Sequence, residues 1–250
     1  MRTKIIFEDR DILVIQKPSG LATQTARVDQ QDVVSELKNY LTGPSYLGIV
    51  HRLDQPVEGL LVFGKTKAAA AFLTAQLGHK VKEGTLNKRY YCVICGKANN
   101  KDGHLVDYLY KDIANRALVL SADAALKEPR AKQASLHYHI LEETVVSAAE
   151  SHSMLTVDKH QPSPICLSLA DIQIDTGRFH QIRAQMAHGG MCLLGDSKYG
   201  NDFSRNISEQ LGVRGVALCA YSLEFIHPVT KEKLHFQIKP QGKAFSYFSL

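Results

Sequence analysis

The stretch "GIVHRLDQPVEGLLVFGKT", residues 48–66, places charged side chains between two apolar runs. The first run leads into His51, Arg52 and Asp54, and the second follows a turn that contains proline and glycine. Charged residues are rarely fully buried unless they are paired. The pattern therefore predicts either a solvated turn or charged groups at the mouth of a pocket, and the rest of the chain has to distinguish the two.

The composition is that of a soluble globular protein. The chain has 250 residues, 44% of them hydrophobic, which is enough for a sizeable core. No apolar run reaches the roughly 18 residues that a membrane span needs, and the N-terminus lacks the apolar segment of a secretory signal. The five cysteines are scattered and odd in number, which argues against a disulfide framework. We therefore expect a cytoplasmic protein without a membrane partner.

The charge of the chain is compatible with a polyanionic partner. The net charge is +5, which falls short of a strong nucleic-acid signature. The densest basic zone, "HKVKEGTLNKRYY" at residues 79–91, runs into two tyrosines. Basic side chains next to aromatic rings suit single-stranded nucleic acid, because they serve both phosphates and base faces. A solvated loop before a strand explains the same stretch equally well.

Strand patterns outnumber helix patterns along the chain. Strands are predicted at residues 4–17 (two short strands), 47–53, 59–64 and 165–175, and in "RYYCVICG", "QASLHYHILEE", "ALCAYSLEFIHP" and "KLHFQIKP". Helices are predicted in "QDVVSELKNYL", "KAAAAFLTAQLGH" and "RFHQIRAQMAH". This order favours an α+β fold with a large mixed, mostly antiparallel sheet flanked by helices and loops. We expect one domain, residues 1–250, with a surface excursion at 143–164.

Two patterns raise the question of a metal site. Cys92 and Cys95 have CxxC spacing, but no second ligand pair accompanies them, and residues three apart on a strand face opposite sides. His137 and His139 share a strand face, yet no carboxylate or cysteine motif joins them. No nucleotide-binding glycine motif is present either. The sequence therefore predicts neither a metal nor a cofactor.

A second polar constellation is "DTGRFHQIR", residues 175–183. The pattern predicts a strand, a Thr-Gly turn and a helix with Arg178, His180 and Arg183 in its first turns. A helix N-terminus with added basic groups is a ready anion site, whereas an ordinary amphipathic helix gives no reason to place cations there. Alternatively, Arg183 pairs with Asp54 and keeps that carboxylate ionised, as a carboxylate nucleophile requires.

These motifs resemble those of a known family. "HRLD" followed by "GLLVFGKT" resembles the catalytic signature of the RluA-type family of RNA pseudouridine synthases. Further similar segments are "ILVIQKPSGL", "NKRYYCVICG", "AKQASLHYHIL", "TGRFHQIRAQMAHGGMCLLGDSKYG" and "LCAYSLEFIHPVTKEKLHFQI". The likeness runs in order from residue 5 to residue 240.

The chain departs from the family pattern at a few positions. Val57-Glu58 stand where the family usually has Thr-Ser, Phe179 stands where threonine is common, and Ala184-Gln185 replace Val-His. These differences bear on substrate choice more than on activity. The family often carries an N-terminal RNA-binding domain of the S4 type, while this chain begins at the catalytic domain, so we expect the domain itself to select the target.

The resemblance implies a fold and a reaction. The fold is the pseudouridine synthase catalytic fold with an active-site cleft across the sheet. The reaction is the isomerisation of specific uridines in structured ribosomal or transfer RNA, without cofactor or metal. Asp54 is the implied nucleophile, by attack on the sugar or by assisting an elimination. Tyr90 is implied to stack on the uracil and to act in proton transfer at C5, and Arg183 to pair with Asp54.

The resemblance also implies a set of RNA contacts and a monomeric enzyme. Arg52 fills the gap left by the flipped uridine, since a base inside a stack cannot be reached, and Ile182 packs beside the base. The complete set of expected RNA contacts is His51, Arg52, Lys80, Lys82, Lys88, Arg89, Arg178, His180 and Ile182.

Two alternatives from other functional classes remain open. The first is a non-catalytic RNA-binding protein that keeps the fold, against which the presence of Asp54, Tyr90 and Arg183 argues. The second is a hydrolase that uses Asp54 with Asp175 or Asp196, since hydrolytic glycosidases use two carboxylates. The products separate the three functions: pseudouridine, unchanged RNA or free uracil.

Overall fold

The computed structural model describes residues 1–25, 29–41, 46–77, 86–147 and 164–250. The chain divides into two compact units. Unit 1 comprises Met1–Tyr90 and Cys219–Gln241, and unit 2 comprises Tyr91–Leu218 and Gly242–Leu250. The single domain expected from the sequence stays a prediction.

The described residues form eleven strands, five α-helices and one 3-10 helix. The strands are β1 (Lys4–Glu8), β2 (Ile12–Lys17), β3 (Gly48–Ile49), β4 (Glu58–Gly64), β5 (Asn87–Cys95), β6 (Asp102–Lys111), β7 (Ala117–Leu120), β8 (Lys132–Val146), β9 (Ile165–Ile174), β10 (Leu218–Ile226) and β11 (Lys233–Gln237). The helices are α1 (Val33–Tyr40), α2 (Lys67–Leu77), α3 (Ala122–Lys127), α4 (Gln181–His188) and α5 (Asp202–Gln210), and the 3-10 helix covers Lys243–Tyr247. None of the helices described is long and apolar enough to cross a membrane.

Unit 1 is built on two strands that are buried along their whole length. Every residue of β2 and of β4 is buried, and the two strands pair antiparallel from Ile12↔Gly64 to Lys17↔Gly59. Near-continuous apolar runs are typical of strands that are covered on both faces. Strand β1 pairs with β2, β3 with β4, and β11 with β10, all antiparallel, while β10 pairs parallel to β4.

The core of unit 1 follows the two-residue period of its strands. Alternate residues point to the same face of a strand, and the core cluster accordingly takes pairs of residues two apart. Its buried members are Ile12, Val14, Val50, Leu60, Val62, Leu73, Leu86, Leu223 and Phe225. Because β4 runs directly out of the loop that holds Asp54, this core fixes one end of that loop.

Unit 2 is an antiparallel arrangement around the long strand β8. Strand β8 pairs with β9 on one side and with β6 on the other, and β7 pairs with β6. Helix α4 packs near β6 and β7. Among the strand pairs whose register is described, only β4–β10 is parallel. The predicted α+β fold with a mixed, mostly antiparallel sheet is confirmed, and the cleft across the sheet stays a prediction.

The sequence did not predict β6, β7, α3 or α5, and three of the predicted segments have other bounds. The strand expected at 47–53 is limited to β3, so the His-Arg-Leu-Asp motif lies in a loop. Strand β8 extends to Val146 and covers the start of the expected excursion at 143–164; residues 148–163 lie outside the described residues. Helix α4 begins at Gln181, three residues after Arg178.

The late start of α4 is explained by the hydrogen bonds of the Gln181 side chain. The Gln181 side chain accepts hydrogen bonds from the Arg178 N–H (2.9 Å) and the Thr176 hydroxyl (2.8 Å), and it donates to the Ser135 carbonyl (2.9 Å). These bonds hold the preceding residues in a turn. His180 adopts a left-handed conformation with φ 52°, which ends any helical continuation toward the N-terminus.

Candidate active site

The loop that carries Asp54 is anchored to the turn after β2. The Thr23 hydroxyl accepts a hydrogen bond from the Leu53 N–H (3.2 Å) and donates to the Leu53 carbonyl (2.9 Å). The Gly20 N–H donates to the Gln55 carbonyl (2.9 Å), and the Val57 N–H closes a turn onto the Asp54 carbonyl (3.1 Å). Hydrogen bonds on both sides of Asp54 therefore fix the backbone position from which its side chain extends.

Lys17 lies fully buried beneath this loop. Its ammonium group donates to the carbonyls of Pro18 (3.1 Å), Leu21 (2.6 Å) and Gln55 (3.0 Å), which matches the three N–H groups of a protonated lysine. Burial lowers the pKa of Lys17 to about 7, while the charge of Asp54 acts in the opposite direction. Lys17 is not among the site residues predicted from the sequence, although a lysine at the end of an apolar strand is a signal that could have indicated it.

Asp54 and Tyr90 are brought close enough to interact electrostatically. Asp54 is half-buried and the preceding Arg52 is exposed. Tyr90 is buried; burial raises the pKa of its phenol, and the negative charge of Asp54 raises it further. A protonated phenol therefore lies within electrostatic range of the Asp54 carboxylate.

His51 is buried, with 7% of its surface exposed. The Val62 N–H donates to His51 Nε2 (3.4 Å), which places the proton of the neutral ring on Nδ1. Nδ1 has no hydrogen-bond partner among the described residues. Burial, with a smaller effect of the Lys88 charge, holds the pKa of His51 well below its usual value. The expected RNA contact of His51 stays a prediction. The burial of His51 favours a role in supporting the loop that carries Asp54.

The expected basic RNA contacts of unit 1 are only partly described. Lys80 and Lys82 lie outside the described residues. Lys88 is half-buried, and burial lowers its pKa to about 8. Arg89 is exposed at the start of β5.

In unit 2, Arg183 forms a buried two-pronged ion pair with Asp196. Arg183 Nε donates to Asp196 Oδ2 and Nη2 donates to Oδ1, both at 2.7 Å. The N–H groups of Lys198 (3.0 Å) and Tyr199 (3.1 Å) also donate to Oδ1. Burial by itself raises the pKa of Asp196, but Arg183 and these N–H groups outweigh it and the pKa is lowered. The expected pairing of Arg183 with Asp54 stays a prediction.

This pair bears on the hydrolase alternative. A glycosidase acid needs a carboxyl group whose pKa is raised, whereas Asp196 is held ionised and both its oxygens already accept hydrogen bonds. Asp196 is therefore better suited to hold Arg183 than to exchange protons. The sequence pattern indicates Asp196 only as a candidate catalytic carboxylate, and the pairing with Arg183 does not follow from it because the two residues lie on different elements.

The basic residues around the start of α4 differ in exposure, in hydrogen-bond partners and in charge. Arg178 is exposed and donates through Nε to the Gln133 carbonyl (2.9 Å). His180 Nδ1 lies 2.8 Å from the Tyr199 hydroxyl; burial, with the charges of Arg183 and Lys198, lowers the pKa of His180 to about 3. His180 is therefore neutral, and Ile182 is buried. The anion site expected at this helix N-terminus stays a prediction; of its basic groups, His180 is neutral and Arg183 is paired with Asp196.

Comparison with known proteins identifies the family. A sequence model described as RNA pseudouridylate synthase matches residues 11–188, a range that includes Asp54, Tyr90 and Arg183. The chain belongs to the RNA pseudouridylate synthase family. The resemblance drawn from the motifs is thereby confirmed, and the enzyme is an RNA pseudouridine synthase.

Two relatives of the synthase carry names that refer to different RNAs. The ribosomal large subunit pseudouridine synthase D of Zymomonas mobilis is 30% identical over 243 residues, covering 93% of this chain and 68% of the relative. The tRNA pseudouridine synthase C of Yersinia pestis is 28% identical over 234 residues, covering 92% of this chain and 84% of the relative.

A solved structure agrees with the fold of the synthase. Human RNA Pseudouridylate Synthase Domain Containing 1 superposes with a TM-score of 0.70 at 18% sequence identity, covering 95% of this chain and 83% of that chain. The pseudouridine synthase fold predicted from the motifs is therefore confirmed.

Proposed function

We propose that the synthase isomerises uridines in structured ribosomal or transfer RNA with Asp54 as the nucleophile. The observation that carries the proposal is the surroundings of Asp54: a half-buried carboxylate on a loop fixed by backbone bonds, close to the buried Tyr90 phenol and the Lys17 ammonium. A cation nearby favours the ionised form of a carboxylate, which is the nucleophilic form.

The reaction exchanges one bond to the sugar for another. The bond between N1 of uracil and C1′ of ribose breaks as Asp54 attacks the sugar or assists an elimination. The uracil turns and a bond from C5 to C1′ forms as the bond between Asp54 and the sugar breaks or, after an elimination, as the proton taken from the sugar is returned. C5 then loses its proton and N1 carries one, so no atom is gained or lost. The raised pKa of Tyr90 keeps its phenol protonated, which favours stacking on the uracil over removal of the C5 proton.

The target uridine must be extruded from its base stack before this chemistry begins. Arg52 is exposed two residues before Asp54, a position that supports its insertion into the space left by the flipped uridine. Arg89 and Arg178 are exposed as well and supply charge for phosphates. We further propose that the enzyme works as a cytoplasmic monomer and that the isomerisation uses neither metal nor cofactor.

Asp54→Asn tests the assignment of the nucleophile. The amide is nearly isosteric with the carboxylate but cannot attack as an anion, so pseudouridine formation should vanish while RNA binding persists. Purified variant is incubated with uridine-labelled ribosomal and transfer RNA, and the digested nucleosides are separated. Asp29→Asn, at an exposed carboxylate of the same unit, is the control and should keep wild-type activity.

The same product analysis separates the alternatives. Free uracil from the wild-type protein would indicate a hydrolase, and unchanged RNA would indicate a binding protein. Pseudouridine at the wild-type rate from Asp54→Asn would exclude Asp54 as the nucleophile.

A further inference from the structure

Three side chains with metal-binding atoms meet on the surface of unit 2. His104 of β6 and His137 of β8 lie directly opposite each other in the antiparallel pair. Their rings stack nearly parallel, with centroids 4.1 Å apart and 7° between the planes. Asp175 follows the end of β9, and its Oδ2 lies 3.4 Å from His137 Nε2 and 4.0 Å from His104 Nε2. One ligand atom from each residue lies within 4.8 Å of the others.

The convergence is set by backbone pairing. Strand β8 holds the register to β6 through His104↔His137 and to β9 through Leu136↔Ile174, and the Asp175 N–H donates to the Ser135 carbonyl (3.0 Å). The Ser135 hydroxyl lies 2.9 Å from His104 Nε2 and donates to Asp175 Oδ2. The Ser135 hydroxyl therefore bridges the Asp175 carboxylate and the His104 imidazole.

We propose that His104, His137 and Asp175 bind a divalent transition-metal ion of the zinc type. Imidazole nitrogens suit Zn²⁺, Ni²⁺ and Cu²⁺, whereas Mg²⁺ and Ca²⁺ prefer oxygen-only sites. Zn²⁺ sits about 2.0–2.2 Å from nitrogen and oxygen ligands, so neighbouring ligand atoms of a tetrahedral site lie roughly 3.3–3.5 Å apart. The His137–Asp175 pair at 3.4 Å meets this spacing, and the His104–Asp175 pair at 4.0 Å is slightly wider. The two stacked rings must turn about their side-chain bonds so that both Nε2 atoms point at one ion.

The surroundings fit an open site. All three side chains are exposed, so an ion can enter from solvent and water can fill the remaining coordination position, as in zinc sites with three protein ligands. The same exposure leaves the ligands less rigidly held than in a buried structural site, so the affinity should be lower than that of a zinc finger. The ion takes no step in the proposed isomerisation.

The sequence could not indicate this site. His137 was paired with His139 on one strand face, and no carboxylate was found to join them. The missing histidine comes from β6 across the β6–β8 register, and the carboxylate comes from the turn after β9. Neither is within a short spacing of His137 along the chain.

The test is metal binding by the full-length protein. Zn²⁺ is titrated against a chromophoric chelator, and Co²⁺ replaces Zn²⁺ so that its visible spectrum reports the ligands. We expect one Zn²⁺ per chain and a cobalt spectrum without thiolate charge-transfer bands. His104→Ala and His137→Ala should each weaken binding at least about tenfold, since losing even an outer-shell partner costs that much, and Asp175→Asn should weaken it as well.

His188→Ala is the matched control. His188 is also exposed and pairs with a carboxylate, Asp107, at 3.1 Å, but this pair offers only one imidazole. The variant should bind Zn²⁺ like the wild type. Unchanged binding by both His104→Ala and His137→Ala, thiolate bands in the cobalt spectrum, or equal competition by Mg²⁺ would each overturn the proposal. Far-UV circular dichroism establishes that the variants are folded.

Discussion

At the scale of single residues, Lys17 combines two opposing effects. Full burial favours the neutral amine and lowers its pKa to about 7, because a charged group loses hydration inside a protein. Three carbonyl acceptors favour the ammonium instead, since only the protonated form has three N–H groups. The lysine thus ties the Gln55 carbonyl, next to the proposed nucleophile Asp54, to the turn after β2.

The Lys17→Met variant tests this balance through the pH dependence of stability. Between the folded pKa of about 7 and the unfolded pKa of roughly 10.4, the unfolded chain binds more protons at this site. The free energy of unfolding contributed by Lys17 therefore rises with pH in this window and is constant below it. Relative to the variant, the wild type should gain about 2 kcal/mol between pH 7 and pH 9, as measured by urea unfolding.

Lys4→Met provides the control for the loss of a lysine. Lys4 is exposed on β1, so its replacement should leave the pH dependence of the wild type unchanged. If the stability difference between wild type and Lys17→Met stays flat from pH 7 to pH 10, the three carbonyls hold the lysine charged and the lowered pKa is wrong.

At the scale of elements, the packing of α2 on β4 depends on small residues. Thr66 caps the helix by accepting a hydrogen bond from the Ala69 N–H (3.1 Å). A Cβ atom at Gly64 would collide with the backbone of Ala70, so the helix and the strand are in direct backbone contact. The alanine run "KAAAAFL" permits this close approach. The contact positions β4, the strand that follows the loop carrying Asp54.

The Gly64→Ala variant tests this contact. The added methyl group meets helix backbone, which cannot move aside as the end of a flexible side chain can, so the free energy of unfolding should fall by about 1–3 kcal/mol. Gly177→Ala is the control, because a Cβ there meets nothing within 4 Å. Urea unfolding of both variants measures the difference. Equal stability of the two variants would mean that α2 shifts without cost.

At the scale of the whole molecule, we expect the RNA contacts of the enzyme to divide into phosphate contact and base extrusion. Arg89 is an exposed cation on β5, while Arg52 is exposed beside the nucleophile. Removing a residue that only neutralises a phosphate weakens binding alike on all RNAs and flattens the log–log salt slope by about 0.7 on single strands. A residue that replaces a flipped base affects only substrates whose base must leave a stack.

Arg52→Ala should therefore slow turnover more on a structured stem-loop than on an unstructured oligonucleotide. Single-turnover rates on the two substrates measure this effect. Arg89→Ala is the comparison variant and should weaken binding to both substrates by the same factor, with a salt slope that is flatter by about 0.7. Equal rate losses on the two substrates for Arg52→Ala would make Arg52 another phosphate contact.

The sequence by itself determined the family and the fold class, and it singled out Asp54 as the proposed nucleophile. Apolar runs predicted β2 and β4, because strands covered on both faces carry few polar residues. The His-Arg-Leu-Asp motif singled out Asp54 and Arg52, because charged side chains between two buried strands require a structural or functional explanation. Such signals are local: they lie within one segment of the chain and can be read without knowing what packs against it.

Only the tertiary structure decided which of these groups meet. Arg183 pairs with Asp196, Lys17 loses all contact with solvent, and His104 joins His137 and Asp175. None of these pairings follows from spacing, because each joins segments whose relative position is set by strand register or by loop packing. The start of α4 was misplaced for a related reason: the Gln181 side chain reaches Ser135 on another strand, and a bond between distant segments is invisible to periodicity.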